Sequence, residues 1–382
     1  EIKMINKRLL IKNLLSHNDE NSFFDKKQKL SFNSKDGKAK FLKHICALSN
    51  SNPTSNSYIV IGVEDEENKI IGVDFFDDSK IQNLINAYLK NPPKIEYENV
   101  PFPRLPRHKV IGLVSIRANN KITSLLKNAW KYKKGTVFCR RGSNSVTAPV
   151  NFELRSTNKE IVAAVEKNAR NNIELTLKGV FDFMNNHKPM YNPKYKVFNE
   201  QFVLCWAGEK RIINEKEYFS RVDIELINEQ VKLFFSALDA VQIRFNDHSF
   251  IITEYILLGL EKKEKHYPLE KTIINFKRNG KHDIVKEFLF IPPKFDPEII
   301  QHVYTNCKFI LKKIEQDIPL SVIEHEDLLR LPINALICFL HGYSDISETL
   351  KKAKKYMKEL ENKTTYIKFK EALRVIRKVK YS

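Results

Sequence analysis

Residues 58–63 read YIVIGV, an apolar and largely β-branched run that predicts a buried strand. The segment 38–49 precedes this strand. Its apolar residues recur at helical spacing, which predicts an amphipathic helix that ends in the Pro- and Asn-containing segment 49–56. After the strand, KIIGV at 69–73 predicts a hairpin partner, with EDEEN at 64–68 as the turn. A helix that leads into a buried strand and its hairpin partner favours an α+β fold.

The same patterns extend to both sides of this centre. Helical spacing predicts a short leading helix within residues 1–15 and another helix at 79–90. Short β-branched runs predict strands at 95–100, 109–116 and 136–140. The sequence therefore predicts a first domain of mixed helices and strands that spans residues 1–152.

Beyond this point the sequence predicts a second domain at 153–382, also of mixed helices and strands and ending in helices. A helical stretch at 157–186 opens it, and strands are predicted at 197–208 and 249–259. Asn279 and Gly280 lie between two alternating runs and predict a hairpin. The last 32 residues hold twelve Lys or Arg against three Glu, which predicts a basic helical tail.

One segment of the second domain, Ile224 to Leu238, is interpreted as a single helix because its apolar residues are dense and fit a helical spacing. The residues predicted to face the core from this helix are Val231, Phe234, Phe235 and Leu238.

Composition and charge limit the classes of function. The chain has 382 residues and 42% hydrophobic residues, which excludes a disordered tail. Its formal net charge of +19 predicts a polyanionic partner, with nucleic acid first and an anionic membrane surface second. The apolar run at 331–340 is far shorter than the roughly 20 residues that a membrane span needs. Five widely spaced cysteines without a CxxC pair favour a reducing compartment, so we expect a cytoplasmic protein without a membrane segment.

A candidate site lies in residues 18–30, NDENSFFDKKQKL. If this stretch contains a strand, Asp25 and Lys27 point to the same face. Carboxylates hold Mg²⁺ or Mn²⁺, the metal activates water, and a lysine stabilises negative charge on a phosphate. Glu20 and Asp65, which follows the 58–63 strand, would supply two more carboxylates. The alternative is that both acidic stretches are solvated surface and turn.

Four motifs in order resemble those of the Schlafen AlbA-type domain. The family patterns are ESxxxEFK, TICAFANT, GGYLLIGVDD and YxRxGSST. The corresponding stretches here are ENSFFDKK at 20–27, HICALSNS at 44–51, SNSYIVIGVED at 55–65 and VFCRRGSNSVTAP at 137–149. This sequence departs from the family in three places: Asp25 replaces a Glu, Lys26 replaces a Phe, and the Gly-Gly pair is absent.

The resemblance implies a metal-dependent endoribonuclease that acts on structured RNA such as tRNA, in bacterial defence or stress response. Glu20, Asp25 and Asp65 would hold Mg²⁺ or Mn²⁺ and, with Lys27, would be catalytic. Animal members carry two such lobes in one chain, and only one is found here, so a homo-oligomer is expected, as a dimer or a higher assembly. The alternative function is a DNA- or RNA-binding regulator that does not cut, or an accessory subunit whose C-terminal domain binds a partner protein.

Two further groups are candidate nucleic-acid contacts. Arg140, Arg141 and Ser143 form a compact donor cluster that could bind a phosphate. The basic tail contributes Lys351, Lys352, Lys354 and Lys355, although a solvated basic helix would look the same. His44 and Trp130 are interpreted as ordinary structural residues.

Overall fold

A computed structural model describes residues 4–16, 21–64, 68–106, 108–186, 191–198, 201–236, 238, 240–260, 264–278, 281–360 and 363–380. Helices and strands both occur along the whole chain, which confirms the α+β class and the helical C-terminal end. Within these ranges no helix is long and apolar enough to cross a membrane.

The helices, in chain order, are α1 (Lys7–Ser16), α2 (Lys35–Ser51), α3 (Ser79–Tyr88), α4 (Lys159–Asn168), α5 (Ile173–Asn185), α6 (Pro297–Glu315), α7 (Val322–Leu340), α8 (Ile346–Lys352), α9 (Lys354–Glu359) and α10 (Lys363–Lys380).

The strands, in chain order, are β1 (Phe24–Lys27), β2 (Asn56–Ile61), β3 (Val73–Asp74), β4 (Leu89–Lys90), β5 (Lys94–Val100), β6 (Lys109–Arg117), β7 (Ser124–Leu125), β8 (Phe138–Arg141), β9 (Asn144–Thr147), β10 (Asn192–Phe198), β11 (Gln201–Ala207), β12 (Lys210–Ile213), β13 (Lys216–Phe219), β14 (Val222–Leu226), β15 (Val231–Ser236), β16 (Ala240–Phe245), β17 (Ser249–Leu258), β18 (Lys265–Phe276) and β19 (His282–Phe288).

The chain divides into two compact units. The first contains Glu1–Glu209, Val222–Phe235 and Phe276–Lys281, and the second contains Lys210–Arg221, Ser236–Asn275 and His282–Ser382. The domain boundary predicted at residue 152 divides the sequence, whereas the two compact units combine segments from several parts of it. That boundary stays a prediction.

The first unit is built on a sheet with the strand order β1-β2-β6-β5-β15-β14-β11-β10, and β3 also pairs with β6. β1 runs parallel to β2, with Asp25 opposite Ile59. Helices cover both faces. Ile59 and Ile61 of β2 pack with α2 and α3 on one face, whereas Tyr58 and Val60 pack with α1 and α4 on the other. This alternation is the period of two expected of a strand buried on both sides.

The predicted hairpin partner of β2 forms only in part. The actual neighbours of β2 are β1 and β6, and the KIIGV segment contributes a single bridge from Ile70 to Val63. Residues 65–67 of the predicted turn lie outside the described residues. Both edges of β2 are already occupied by β1 and β6, so the KIIGV segment pairs only beyond the end of β2.

The helix predicted from Ile224 to Leu238 is wrong, because the segment forms β14 and β15 instead. Gln230, at the turn between them, has a φ of +55°, and its N–H donates to Ile227 O at 3.1 Å. All five residues of β14 are buried. Four residues in succession, Val231 to Phe234, are buried in β15 as well. Because both strands are buried on both faces, they do not show the alternating exposure that distinguishes a strand from a buried helix.

The second unit contains a sheet with the order β12-β13-β16-β17-β18-β19 and the helices α6 to α10. β18 and β19 form the hairpin predicted around Asn279 and Gly280, two residues that themselves lie outside the described part of the chain.

Buried Glu254 of β17 receives two hydrogen bonds from Arg374 of α10, both of 2.8 Å. Lys378 lies 3.2 Å from Glu254 as well. Burial by itself would raise the pKa of Glu254. The contacts with Arg374 and Lys378 outweigh burial and lower this pKa to about 2.

A second buried carboxylate, Glu225 of β14, behaves in the opposite way. Burial raises its pKa to about 7, since the nearest cation, Nη2 of Arg8, is 4.0 Å from Oε1. The folded carboxyl therefore binds a proton more readily than the unfolded one, so the contribution of Glu225 to the free energy of unfolding falls as the pH rises from about 4.5 to about 7.

We predict that the Glu225→Gln variant is more stable than the wild type at pH 8 and no more stable at pH 5. The glutamine stays neutral, so the cost of ionising a buried group, up to ~3 kcal/mol, disappears. Urea unfolding at both pH values would measure the effect.

Glu254→Gln is the matched control, and its effect should have the opposite sign. It should destabilise the protein at pH 7, because Arg374 and Lys378 lose their buried partner. Equal unfolding midpoints for Glu225→Gln and the wild type at pH 8 would contradict the prediction.

Candidate functional site

Asp25 lies in β1 on the side of the sheet that α2 covers. Its neighbour Phe24 packs into the core on the other side, with α1 and α4. Because side chains alternate along a strand, Asp25 and Lys27 both point toward α2. The parallel pairing with β2 fixes this orientation, since a shift by one residue would place Phe24 there instead.

Basic side chains from β1, α2 and β8 surround the Asp25 carboxylate. Nζ of Lys27 lies 2.7 Å from Oδ1, Nδ1 of His44 lies 2.9 Å from Oδ2, and Nη1 of Arg140 lies 3.7 Å from Oδ2. Ser145 of β9 completes the group, with its Oγ 3.1 Å from Arg140 Nη1 and 3.3 Å from His44 Nδ1. We call these five residues the Asp25 cluster.

Arg140 holds the cluster together from below the surface. Its side chain and that of Asp25 are both 0% exposed. Besides Asp25, its guanidinium donates to the backbone oxygens of Asn21 at 3.0 Å and Phe24 at 3.3 Å. In this conformation Arg140 ties β8 to β1 and organises the site, and its guanidinium is not accessible to a phosphate.

His44 lies against the Asp25 carboxylate, with its Nδ1 2.9 Å from Oδ2. Burial lowers the pKa of His44, while the contact with Asp25 and its charge oppose this effect. A lowered pKa favours the neutral imidazole. Among the described residues, Lys27 and Arg140 therefore bring full positive charges to the carboxylate.

The accessible part of the site is also positive. The Lys27 side chain is 35% exposed, and Arg141 and Ser143 are exposed in the β8–β9 hairpin, whose turn contains Gly142 at a φ of +59°. Burial and the nearby Lys131, Arg140 and Lys40 lower the pKa of half-buried Lys43, the residue before His44. Like charges at this spacing form a surface that attracts an anion.

Not every predicted site residue belongs to this cluster. Glu20 and Asp65 lie outside the described residues. In the second unit, Lys351 pairs with Glu348 at 2.6 Å and Lys352 pairs with Glu315 at 2.8 Å.

Lys354 and Lys355 are exposed on α9, so they keep their charges available at the surface of the second unit. Whether they contact nucleic acid stays a prediction.

Sequence reasoning missed His44 and Ser145. A signal for Ser145 was present, because the Gly142-Ser143 turn between short β runs sets Arg140 opposite Ser145 in the hairpin register. No local signal marks His44, which meets Asp25 only when α2 packs on the sheet.

The described residues around Asp25 do not fit a divalent metal centre. Within the described ranges there is no group of three His, Cys, Asp or Glu residues placed to hold a metal. A cation binding at Oδ1 would displace the Lys27 ammonium and lie close to Arg140. Two like charges would then share one carboxylate, which is electrostatically unfavourable.

A family model described as Schlafen, AlbA_2 matches residues 20–149. Residues 20–149 are therefore a Schlafen AlbA-type domain. A second family model, Domain of unknown function (DUF5929), matches residues 160–382, more than half of the chain, so the chain belongs to that family. No curated protein and no solved structure matches the chain. The Asp25 cluster lies entirely within the Schlafen AlbA-type domain, which indicates a function related to nucleic acids.

The Asp25→Asn variant should unfold more easily than the wild type in metal-free buffer. Removing one partner of a buried ion pair typically costs about 3 kcal/mol or more, because Arg140 would keep an uncompensated buried charge. Urea unfolding in the presence of a chelator would measure the change.

The opposite result would identify a different kind of site. In a cluster of acidic metal ligands, neutralising one carboxylate relieves repulsion, so Asp25→Asn would stabilise the metal-free protein.

Lys29→Ala is the control for this measurement. It removes a nearby exposed charge and should leave the unfolding midpoint unchanged.

Proposed function

We propose that the chain binds RNA through its Schlafen AlbA-type domain and cleaves it as an endoribonuclease at the Asp25 cluster. One observation carries the proposal: a fully buried carboxylate holds the partly exposed ammonium of Lys27 in place at 2.7 Å, within a positive surface. A fixed cation beside a phosphodiester stabilises the negative charge that develops during cleavage. The family resemblance supports structured RNA such as tRNA as the substrate and a role in defence or stress response.

The residues of the cluster would have separate roles. Lys27 would contact the scissile phosphate, and Arg141 and Ser143 would bind neighbouring phosphates from the β8–β9 hairpin. Asp25 and Arg140 are positioning residues, because both side chains are 0% exposed and hold their neighbours in place.

Metal dependence is proposed from the resemblance alone. Mg²⁺ or Mn²⁺ bound by Glu20, Asp25 and Asp65 would supply an activated water. The described neighbours of Asp25 are cationic or neutral, while Glu20 and Asp65 lie outside the described residues. The roles given to the cluster therefore belong to residues of the chain alone.

A second candidate function is binding without cleavage, as a DNA- or RNA-binding regulator or as an accessory subunit. The engagement of Asp25 by Lys27, His44 and Arg140 favours it, since a carboxylate paired in this way needs no catalytic role.

We predict that the purified protein cuts tRNA and that Lys27→Ala lowers the cleavage rate about 10- to 1,000-fold, the range for loss of one electrostatic contact to the transition state. Binding should change only a few-fold, because one lysine contributes little to a multi-phosphate interface. Gel assays on tRNA, single-stranded DNA and duplex DNA, each with Mn²⁺ or with a chelator, would give rate and affinity separately.

Lys29→Ala serves as the matched control, since it removes the same charge two residues further along at an exposed position. Cleavage that continues in chelator would reject the metal proposal and keep the nuclease. Salt-dependent binding without any cleavage would leave the second candidate function. Equal rates for Lys27→Ala and Lys29→Ala would reject the role of Lys27.

We also propose that the chain forms a homodimer, in which the Schlafen AlbA-type domain at 20–149 would be paired with that of a second copy. A surface that a second copy could cover lies on α5, where Ile173, Leu177, Phe181 and Met184 share one face at helical spacing and are 75%, 49%, 63% and 42% exposed. The C-terminal region is proposed as the place where a partner protein would bind.

Light scattering should give about twice the chain mass of 44.8 kDa for the wild type, and Phe181→Glu should shift it toward the monomer because a buried charge would be unpaired at the interface. Val322→Glu, at a 79% exposed position of α7, is the control and should leave the mass unchanged. A wild-type monomer at high concentration would contradict the proposal.

A further inference from the structure

The loop at 126–135 (LKNAWKYKKG) connects β7 to β8 and carries four lysines and no acidic residue. We call it the lysine loop. Lys127, Lys131, Lys133 and Lys134 are all exposed. Lys131 pairs with Asp36 of α2, whereas Lys133 and Lys134 have no acidic partner in the described part of the chain. The loop therefore presents a concentrated positive charge.

The backbone of the lysine loop is fixed by its own hydrogen bonds. Ala129 and Tyr132 exchange two bonds of 2.9 and 3.0 Å across a tight turn. At its base the N–H of Gly135 donates to Leu125 O at 2.8 Å, and the N–H of Lys134 donates to Asn128 Oδ1 at 2.8 Å. A surface held in this way loses little entropy when a ligand binds.

Trp130 stands at the tip of this turn in an unusual conformation. Its φ is +52°, a region that bulky residues rarely adopt and that costs free energy. The indole stacks on Tyr88 at a centroid distance of 5.3 Å and an interplanar angle of 22°, and Lys127 Nζ lies 4.3 Å from the centre of the Tyr88 ring. The ring system is partly exposed and bordered by a cation.

The other tryptophan shows what a purely structural indole looks like in this protein. Trp206 is only 5% exposed, and its Nε1 donates to Phe183 O at 3.3 Å. Trp130 Nε1 has no acceptor among the described residues, and the ring remains partly open to solvent. Trp206 is enclosed by the core and hydrogen-bonded there. Trp130 packs against the edge of a core cluster next to Tyr88, but its ring stays partly exposed and its backbone has a positive φ.

The lysine loop and the Asp25 cluster belong to one positive region. β8 leads directly from the loop to Arg140. α2 also joins the two places, because its Asp36 pairs with Lys131 and its His44 contacts Asp25. A polyanion bound at one of the two places would therefore extend toward the other.

We propose that the lysine loop binds an unpaired stretch of RNA next to the Asp25 cluster, with one base stacked on Trp130 and phosphates bound by Lys127, Lys133 and Lys134. The proposal rests on the RNA binding proposed above and adds that the bound segment is single-stranded. Bases in a duplex are already stacked on each other, whereas an unpaired base offers its face to an aromatic ring.

The first test is the binding of a short single-stranded RNA, an abasic strand of the same length and the duplex form of the RNA. Trp130→Ala should weaken binding to the base-bearing single strand about ten-fold or more and leave the other two unchanged, because only that strand loses a stacked base. Trp130→Phe keeps an aromatic ring and should bind nearly as well as the wild type, which also separates loss of stacking from loss of folding.

Fluorescence gives an independent readout. The bound single strand should quench the emission of the wild type, and the quenching should vanish in Trp130→Phe, since Trp206 is buried. Quenching that persists in Trp130→Phe would overturn the assignment of the stacked base to Trp130.

The lysines are tested by charge-matched variants. Replacing Lys127, Lys133 and Lys134 together by Ala should lower the slope of log affinity against log salt by about 2, at roughly 0.7 per phosphate contact on a single strand. Replacing Lys159, Lys167 and Lys178, which are exposed on α4 and α5, removes the same charge and should leave the slope unchanged. Equal slopes for the two triple variants would overturn the phosphate contacts.

The outcomes separate this inference from the proposed function. A wild type that binds none of the three probes refutes RNA binding altogether. The stacking site is overturned if Trp130→Ala loses as much affinity for the abasic strand as for the base-bearing strand. It is also overturned if the wild type prefers the duplex. In both cases the wild type still binds RNA, so the proposed function remains.

Discussion

The first unit depends on one buried interaction, the contact of the Asp25 carboxylate with Lys27, His44 and Arg140. The carboxylate and the Arg140 guanidinium are both removed from water. Burying either charge without the other would therefore destabilise the folded protein. Because the partners come from β1, α2 and β8, this contact links three elements that are distant in sequence. The same interaction sets the chemistry of the surface above it, since the buried carboxylate balances only part of the positive charge and leaves Lys27 facing solvent.

The sheet of the first unit also joins the two matched regions of the chain. β1, β2, β5 and β6 lie in the Schlafen AlbA-type match, whereas β10, β11, β14 and β15 lie in the DUF5929 match. β15 pairs with β5 at the junction. Arg8 of α1 reinforces it, because its guanidinium bonds Asp182 of α5 at 2.9 Å and lies near Glu225. The candidate site therefore rests on a sheet that the Schlafen AlbA-type segment does not complete alone.

Net charge is a poor guide to where an anion binds in this protein. The basic tail is the most positive segment of the sequence, yet Arg374 and Lys378 of α10 are directed at the buried Glu254, and Lys351 and Lys352 are paired at the surface. The lysine loop is shorter, but two of its lysines lack acidic partners among the described residues. A positive charge attracts a polyanion only where the fold leaves it unbalanced.

The sequence by itself determined the family, the α+β class and the placement of Asp25 and Lys27 on one face, because motif order and strand period are local properties of the chain. Only the tertiary structure decided that His44 and Arg140 meet Asp25, since that contact needs α2 and β8 packed against the sheet. It also decided that the segment from Ile224 to Leu238 forms two strands, because β14 pairs with β11 and β15 pairs with β5, and these partners are distant in the sequence. Pairing between distant residues leaves no local pattern, so the environment of each charge, and with it the character of the site, emerges only on folding.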